Sequence, residues 1–412
     1  MIEIYPKLGI ANGLCPCCKG SNQSTSALYF QGMHVLGKYT CQACNLKYFT
    51  GLPSGHMAHF PVSFSSDSRY QLFDQKKAAW LADPLINSMK DKLGAEGAFQ
   101  IFNKSSGEEL LLVNCLDSCF GHVFTKVWNV YKEKDRSSSR NIAVLIPEQC
   151  RWLLSKIEVE IWSVDVPLKS LSEGVVGLDA WVKNQFHRFK MVLLHPVFVH
   201  LDHQQMDFER ILGEKPFDLA QFDQGVPQIT FVWREDRFWL ANRQLNWLYM
   251  FSRKFKLEKI FNPIFLWRQK TLLNRLVKII NKSFSEVNFV VTGLGKSTDF
   301  LDRIKDERVT SINFEIEKRW NSIFSKSQVV VAVHGSHMLV PSALAAGFVE
   351  ILPKHKMDHL TEDICRTHTG RLGLFLGRIV DESTGPALVA LHISSMIQRF
   401  HFVKSNLETK LV

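Results

Sequence analysis

Two Rossmann-like parallel-sheet domains facing a cleft, preceded by a small cysteine-rich module, are what the sequence predicts, and three observations carry that expectation. Two Cys-x2-Cys knuckles stand near the N-terminus, strand-like apolar runs alternate with helix-like stretches from about residue 106, and the alternation restarts after Gly225-Val226-Pro227. A chain of 412 residues suits two or three domains at roughly 100 to 200 residues each. The boundaries read as 1–52 for the module, 53–105 for a connector, 106–225 for the first α/β domain and 226–412 for the second.

The module comes first. Cys15-Pro16-Cys17-Cys18 and Cys41-Gln42-Ala43-Cys44 are separated by 22 residues, close to the pattern of a zinc ribbon. Each knuckle presents two thiolates to one ion, and four thiolates close a tetrahedron with no open position, which describes structural rather than catalytic zinc. Cys15, Cys18, Cys41 and Cys44 are the expected ligands. Spacing alone leaves open a set in which Cys17 replaces Cys15 or Cys18. The aromatic runs Ala27–Met33 and Leu46–Gly51 suit short ribbon strands, and about 50 residues fold poorly without the metal. Five of the nine cysteines lie before position 45, which argues for a local metal site over a disulfide framework.

The α/β elements follow in order. Glu109–Asn114 is a continuous apolar strand that ends in the loop Cys115–His122 and enters a helix over Val123–Tyr131. Asn141–Pro147, Val159–Val164, Met191–Leu194 and Val197–Val199 read as further strands, with a helix over Glu148–Ser155. In the second domain Gln228–Trp233 is a strand, followed by a long basic amphipathic region to Ser283. Val287–Thr292, a shorter Val309–Asn313, Gln328–Val333 and Phe348–Pro353 are the next strands, with a helix over Met338–Ala346 and a last helix over about Gly385–Phe402. Strands alternating with helices imply a parallel sheet with right-handed crossovers.

Composition bounds the function. Apolar residues make up 46%, charged residues 22%, and mean hydropathy is -0.05, which excludes a disordered or fibrous chain. No uncharged apolar run reaches the roughly 18 to 20 residues a membrane span needs, and the N-terminal residues lack a signal-peptide pattern, so a cytosolic protein is expected. A net charge of +10 and a pI near 9.1 favour anionic partners: nucleotides, nucleic acid or a membrane surface. The ribbon lacks a dense Lys/Arg cluster interleaved with aromatics, which disfavours nucleic acid.

In open parallel sheets ligands collect beyond the carboxyl ends of the strands. There the sequence places Arg234 and Arg237, suited to clamping a diphosphate. It also places His334-Gly335-Ser336-His337, where glycine lets a phosphate approach the backbone. Glu350 is suited to accepting hydrogen bonds from a ribose. Thr292-Gly293-Leu294-Gly295-Lys296-Ser297 resembles a phosphate loop without Walker spacing and suits a base pocket lined by Gly293 and Lys296. His195, His200, Asp202 and His203 form another polar group near a strand end, read as loop residues before acceptor-site or metal-binding groups.

Val333-His334-Gly335-Ser336-His337-Met338-Leu339, with Pro341-Ser342-Ala343-Leu344 and Val349-Glu350-Ile351, resembles the nucleotide-sugar half of GT-B glycosyltransferases, and within them glycosyltransferase family 61. Ser336-His337-Met338 departs from that family's usual continuation after His-Gly. The resemblance implies an acceptor domain over 106–225, a donor domain over 226–412, a nucleotide-sugar donor, and catalysis without a divalent metal. It likens Arg234 to the arginine that follows the first strand of the family's donor domain. An inverting transfer needs a general base from the N-terminal sheet, and Asp117 and His122 are the candidates. The acceptor would be a glycan or a protein side chain, with peripheral contact to the inner face of a membrane. Two other readings stand beside this one: a zinc-ribbon nucleic-acid-binding protein on an α/β scaffold, and a zinc-ribbon methyltransferase, weakened by the lack of a G-x-G turn after Asn114.

Overall fold

The computed structural model describes residues 2–5, 13–22, 27–91, 94–296, 299–365 and 367–408. They divide into two compact units, Met1–Leu201 and Asp202–Val412.

The first unit opens with β1 (Ile2–Tyr5) and a two-stranded ladder of β2 (Gly13–Leu14) and β3 (Ser21–Asn22). A five-stranded antiparallel meander follows: β4 (Ala27–Phe30), β5 (Val35–Thr40), β6 (Lys47–Gly51), β7 (Ser63–Ser65) and β8 (Gln71–Leu72). Helix α1 (Ala79–Asp91) lays Leu81, Leu85 and Ile86 against Met33, Leu36 and Phe64 of the meander, so the segment read as a connector carries core of its own.

The α/β part of this unit comprises β9 (Ala98–Phe102), β10 (Glu109–Asn114), α2 (Phe120–Arg136), β11 (Ile142–Pro147), β12 (Glu160–Asp165), α3 (Leu178–Phe186) and β13 (Met191–Leu194). Its sheet runs β1-β13-β10-β11-β12-β9. The four inner strands are parallel, and antiparallel β1 and β9 close the edges. Leu110, Leu112, Ala143, Leu145 and Trp162 face α3 through Val182 and Phe186. Because β11 and β13 flank β10 on opposite sides, the strand order reverses at β10, and the loop after Asn114 opens at that switch point.

The second unit contains α4 (Phe208–Leu212), β14 (Gln228–Trp233), α5 (Arg243–Lys254), α6 (Glu258–Ile280), β15 (Asn288–Gly293), β16 (Ile304–Asp306), α7 (Phe314–Phe324), β17 (Val329–Val333), α8 (Leu339–Leu344), β18 (Gly347–Leu352), α9 (Gly370–Leu376), β19 (Gly377–Asp381) and α10 (Pro386–Glu408). All six strands are parallel, in the order β16-β15-β14-β17-β18-β19. This is a doubly wound sheet whose order reverses at β14, between Trp233 and the end of β17. Residues 202–225 belong to this unit: Phe222 stacks on Phe400 of α10 with ring centroids 3.8 Å apart. Both units are thus Rossmann-like.

Two expected strands take other forms. Val197–Val199 has no ladder, because α2 side chains satisfy its backbone: Asn129 bonds both the N–H and the carbonyl of Phe198, and Thr125 donates to the Val199 carbonyl. Val309 makes only an isolated bridge to Leu294, and the strand beside β15 is the earlier Ile304–Asp306. Among the described residues no helix is long and apolar enough to cross a membrane.

Candidate functional site

The four cysteines expected as ligands converge. One knuckle turns over residues 16–18 and the other over 42–44, each tied by a backbone hydrogen bond: Lys19 N–H to the Cys15 carbonyl at 2.9 Å and Asn45 N–H to the Cys41 carbonyl at 2.8 Å. Cys15 and Cys44 sulfurs are 3.6 Å apart, Cys18 and Cys41 sulfurs 3.5 Å, and all four lie within 4.8 Å of one another. A tetrahedron with bonds of about 2.3 Å has edges of about 3.8 Å. Cys15, Cys18, Cys41 and Cys44 can therefore hold a metal ion, and four thiolates are a donor set suited to structural zinc. Cys17 is exposed and outside the group. The stacked rings of Tyr39 and Tyr48 pack with Cys15 and Cys41.

In the first unit Asp117 sits on the loop after β10 and is fully buried. Its carboxylate receives Lys126 Nζ at 2.9 Å, His56 Nε2 at 3.3 Å, His122 Nδ1 at 3.1 Å and the Cys119 N–H at 3.1 Å. Burial alone would raise its pKa, but the Lys126 charge and the two histidines hold it well below the usual range. Asp117 is thus favoured in its ionised form, although shielded from solvent. His122, in the first turn of α2, is a quarter exposed; its Nδ1 also lies 3.1 Å from His56 Nε2. The His200 ring centre lies 5.9 Å from that of His122. His56 is pushed down to about 4, chiefly by burial. His56, Asp117 and His122 are close enough to hold a metal ion, although Lys126 already claims one carboxylate oxygen. His195 is buried, with Nε2 3.7 Å from Glu133, while Asp202 caps the short turn His203–Gln205 in the second unit.

In the second unit the strand ends bring the remaining candidates together. Arg234 follows β14 and forks onto Asp236 with two bonds of 2.8 Å. Arg237 donates to the His334 carbonyl at 2.8 Å, which ties the loop after β14 to the end of β17. His334 is buried with both ring nitrogens engaged: Nδ1 lies 2.8 Å from Glu350 and Nε2 3.3 Å from Asp363. Gly335 has φ +151°, and a Cβ there would overlap the Arg237 guanidinium. Ser336 begins a 3-10 turn, Ser336–Met338, that leads into α8. His337 is held well below its ordinary pKa by burial and by the charges of Arg234 and Arg237. Gly293 ends β15 at φ +111°, where a Cβ would strike the Trp233 carbonyl, and Lys296 is exposed; Ser297 lies outside the described residues. Three buried polar atoms here have no hydrogen-bond partner: Thr292 Oγ1, His337 Nε2 and Glu350 Oε2. Burial raises the pKa of Glu350.

No protein-family model matches the chain, and no curated protein does. Among solved structures, the E. coli ADP-heptose LPS heptosyltransferase II is similar at a TM-score of 0.38 and 11% identity, over 72% of this chain and 100% of that one.

Several site residues escaped the sequence reading. Lys126 was legible in principle, since it stands one helical turn after His122 on α2 and shares its face. His34 and His56 lie far upstream, in and just after the cysteine-rich segment, and nothing in their spacing ties them to Asp117. Arg308 is buried over the rings of Trp233 and Phe300; its signal, one basic residue in a charged run, is indistinguishable from a surface position.

Proposed function

We propose that the protein is a GT-B-type glycosyltransferase that takes sugar from a nucleotide-activated donor, with a structural zinc in its ribbon. One observation carries the reading: cationic and orphaned polar groups converge at the carboxyl end of an all-parallel sheet, at its switch point. Arg234, Arg237 and Lys296 supply positive charge where a nucleoside diphosphate would leave. Such a site needs no divalent metal, because fixed guanidinium groups already stabilise the developing charge. Gly335, by lacking a Cβ, leaves room for the Arg237 guanidinium beside Ser336 and His337, where a phosphate would approach. Glu350 Oε2 and Thr292 Oγ1 are suited to hydroxyl or base contacts. His334, locked between Glu350 and Asp363, positions Arg237 through its carbonyl.

In the first unit His122 is the general base of this proposal and Asp117 its positioning partner. With Nδ1 directed at Asp117, the other nitrogen of His122 is left to take the acceptor proton, and the buried carboxylate stabilises the imidazolium that results. The acceptor is a hydroxyl, on a glycan or on a protein.

The test is thermal stabilisation of the zinc-loaded protein by a panel of nucleoside diphosphates and nucleotide sugars, with S-adenosylmethionine and single-stranded DNA as controls. A saturable shift with one nucleotide, lost in Arg234→Ala, supports the donor site and names the base. A shift only with S-adenosylmethionine or DNA sinks the glycosyltransferase reading.

A further inference from the structure

Helices α5 and α6 form a hairpin joined by residues 255–257, and both of its faces are apolar. The inner face is accounted for: Leu245, Leu248, Phe261 and Leu266 pack on a core of Phe238, Leu240 and Phe265. The outer face is not. Trp247, Met250, Phe255, Ile260, Ile264 and Trp267 are exposed, with Ile260 at 67%, Trp247 at 68% and Trp267 at 63%. Ile260, Ile264 and Trp267 fall at i, i+4 and i+7, one stripe of α6. Large aromatic and aliphatic side chains presented in a stripe mark an interaction surface, unlike single exposed apolar residues.

Charge identifies the occupant. Residues 243–280 hold nine lysines and arginines against the single acidic residue Glu258, so this hairpin carries eight of the ten net positive charges of the chain. Arg243, Arg253, Lys254, Lys256 and Lys259 are exposed on the same hairpin, with Lys254 Nζ 5.8 Å from the ring centre of Phe255. We infer that the α5–α6 hairpin docks on an anionic phospholipid surface, with its two tryptophans and isoleucines entering the headgroup boundary and its cations meeting lipid phosphates. A single-stranded nucleic acid would also meet cations and tryptophans, but Met250, Ile260 and Ile264 offer no ring on which a base could stack. The hairpin is bound to the loop that carries Arg234 and Arg237: Tyr249 donates to the Asp236 carbonyl at 2.6 Å, and Gln269 donates to the Arg234 carbonyl at 3.1 Å. Docking would hold that loop at the membrane surface, whatever reaction the loop serves.

The experiment is co-sedimentation of the full chain with vesicles of phosphatidylglycerol and phosphatidylcholine in equal parts, against pure phosphatidylcholine vesicles. Binding to the anionic vesicles alone is expected, weakened by salt. Trp247→Ala with Trp267→Ala should cost about tenfold in partition per tryptophan. Lys254→Gln with Lys256→Gln should cost about fivefold per charge, while Lys156→Gln with Lys169→Gln, exposed lysines of the first unit, should leave it unchanged. All six positions are solvent-exposed, so the melting temperature of each variant should match the parent and report folding. No partition onto anionic vesicles, equal loss in the first-unit control, or a dimer in solution that Trp247→Ala with Trp267→Ala disperses would overturn the inference. So would binding to single-stranded DNA without binding to vesicles.

Discussion

Lys126 and Asp117 form an ion pair that solvent does not reach. Removing Lys126 takes from the buried Asp117 carboxylate its lysine counter-charge and leaves two histidines and the Cys119 N–H, so Lys126→Met should lower unfolding stability by about 3 kcal/mol, read from urea midpoints. His34 makes a separate prediction. It is buried with both ring nitrogens unpartnered, and burial, then the nearby Lys126 charge, lower its pKa from 6.5 to about 3. Below 6.5 the unfolded chain binds a proton at this residue that the folded chain does not. Its stabilising contribution is therefore complete above that pH and drains as the pH falls toward about 3, by at most about 1.4 kcal/mol per pH unit. Acid unfolding of His34→Leu should be correspondingly less steep. At this scale the sequence foretold position, in that Asp117 and Arg234 follow the strands β10 and β14 as expected, while their roles belong to the proposal above. It was silent where contacts are made across long stretches of chain, as with His56, because the pairing is created by the fold and leaves no local pattern.

The central strands were readable almost residue for residue: Glu109–Asn114, Met191–Leu194 and Gln228–Trp233 match β10, β13 and β14. β10 and β14 are continuous apolar runs because both of their faces are covered, whereas β13, beside the edge strand β1, alternates half-buried and buried residues. The edge strands were not readable. β9 is half exposed, and β19 carries Arg378 and Asp381, so neither shows a buried-strand signature. At the junction of β17 with its following turn, Gly335→Ala should be poorly tolerated, since its φ of +151° disfavours a side chain and the new Cβ would displace Arg237. A loss of about 1–3 kcal/mol is expected, seen as a lower melting temperature. Any nucleotide shift should weaken with it, because the Arg237 bond to His334 would break. Gly225→Ala, where a Cβ meets nothing within 4 Å despite a φ of +76°, is the comparison that separates backbone strain from the lost arginine contact.

For the whole molecule, the two units answer to different stabilisers. The first contains the four-cysteine group, while the core of the second is built from its own strands with α6 and α10. A preparation grown with zinc should contain about one equivalent per chain. Removing it with a strong chelator should lower the unfolding transition of the first unit and spare that of the second, resolved by calorimetry with limited proteolysis. Cys41→Ser should reproduce the effect, and Cys17→Ser should not. The parallel α/β sheets and the convergence of the two cysteine knuckles were legible because they are written in periodicity and spacing. The division at Leu201 was not, since residues 202–225 join the second unit through scattered aromatic contacts such as Phe222 with Phe400.

The two sheets also differ in the order in which they can be completed. β14 lies inside its sheet and is its first strand to be synthesised, so that sheet can grow outward as β15, β16, β17, β18 and β19 arrive. The sheet of the first unit begins with β1, which pairs with β13, the last of its strands to be made. While the chain is emerging from the ribosome, Ile2–Tyr5 must wait for Met191–Leu194, with the cysteine knuckles and every other strand of that sheet lying between them. Closing so long a loop is slow. The first unit therefore gains this edge only when nearly all of that unit has been made, and until then its unpaired sheet edge is exposed to non-native pairing.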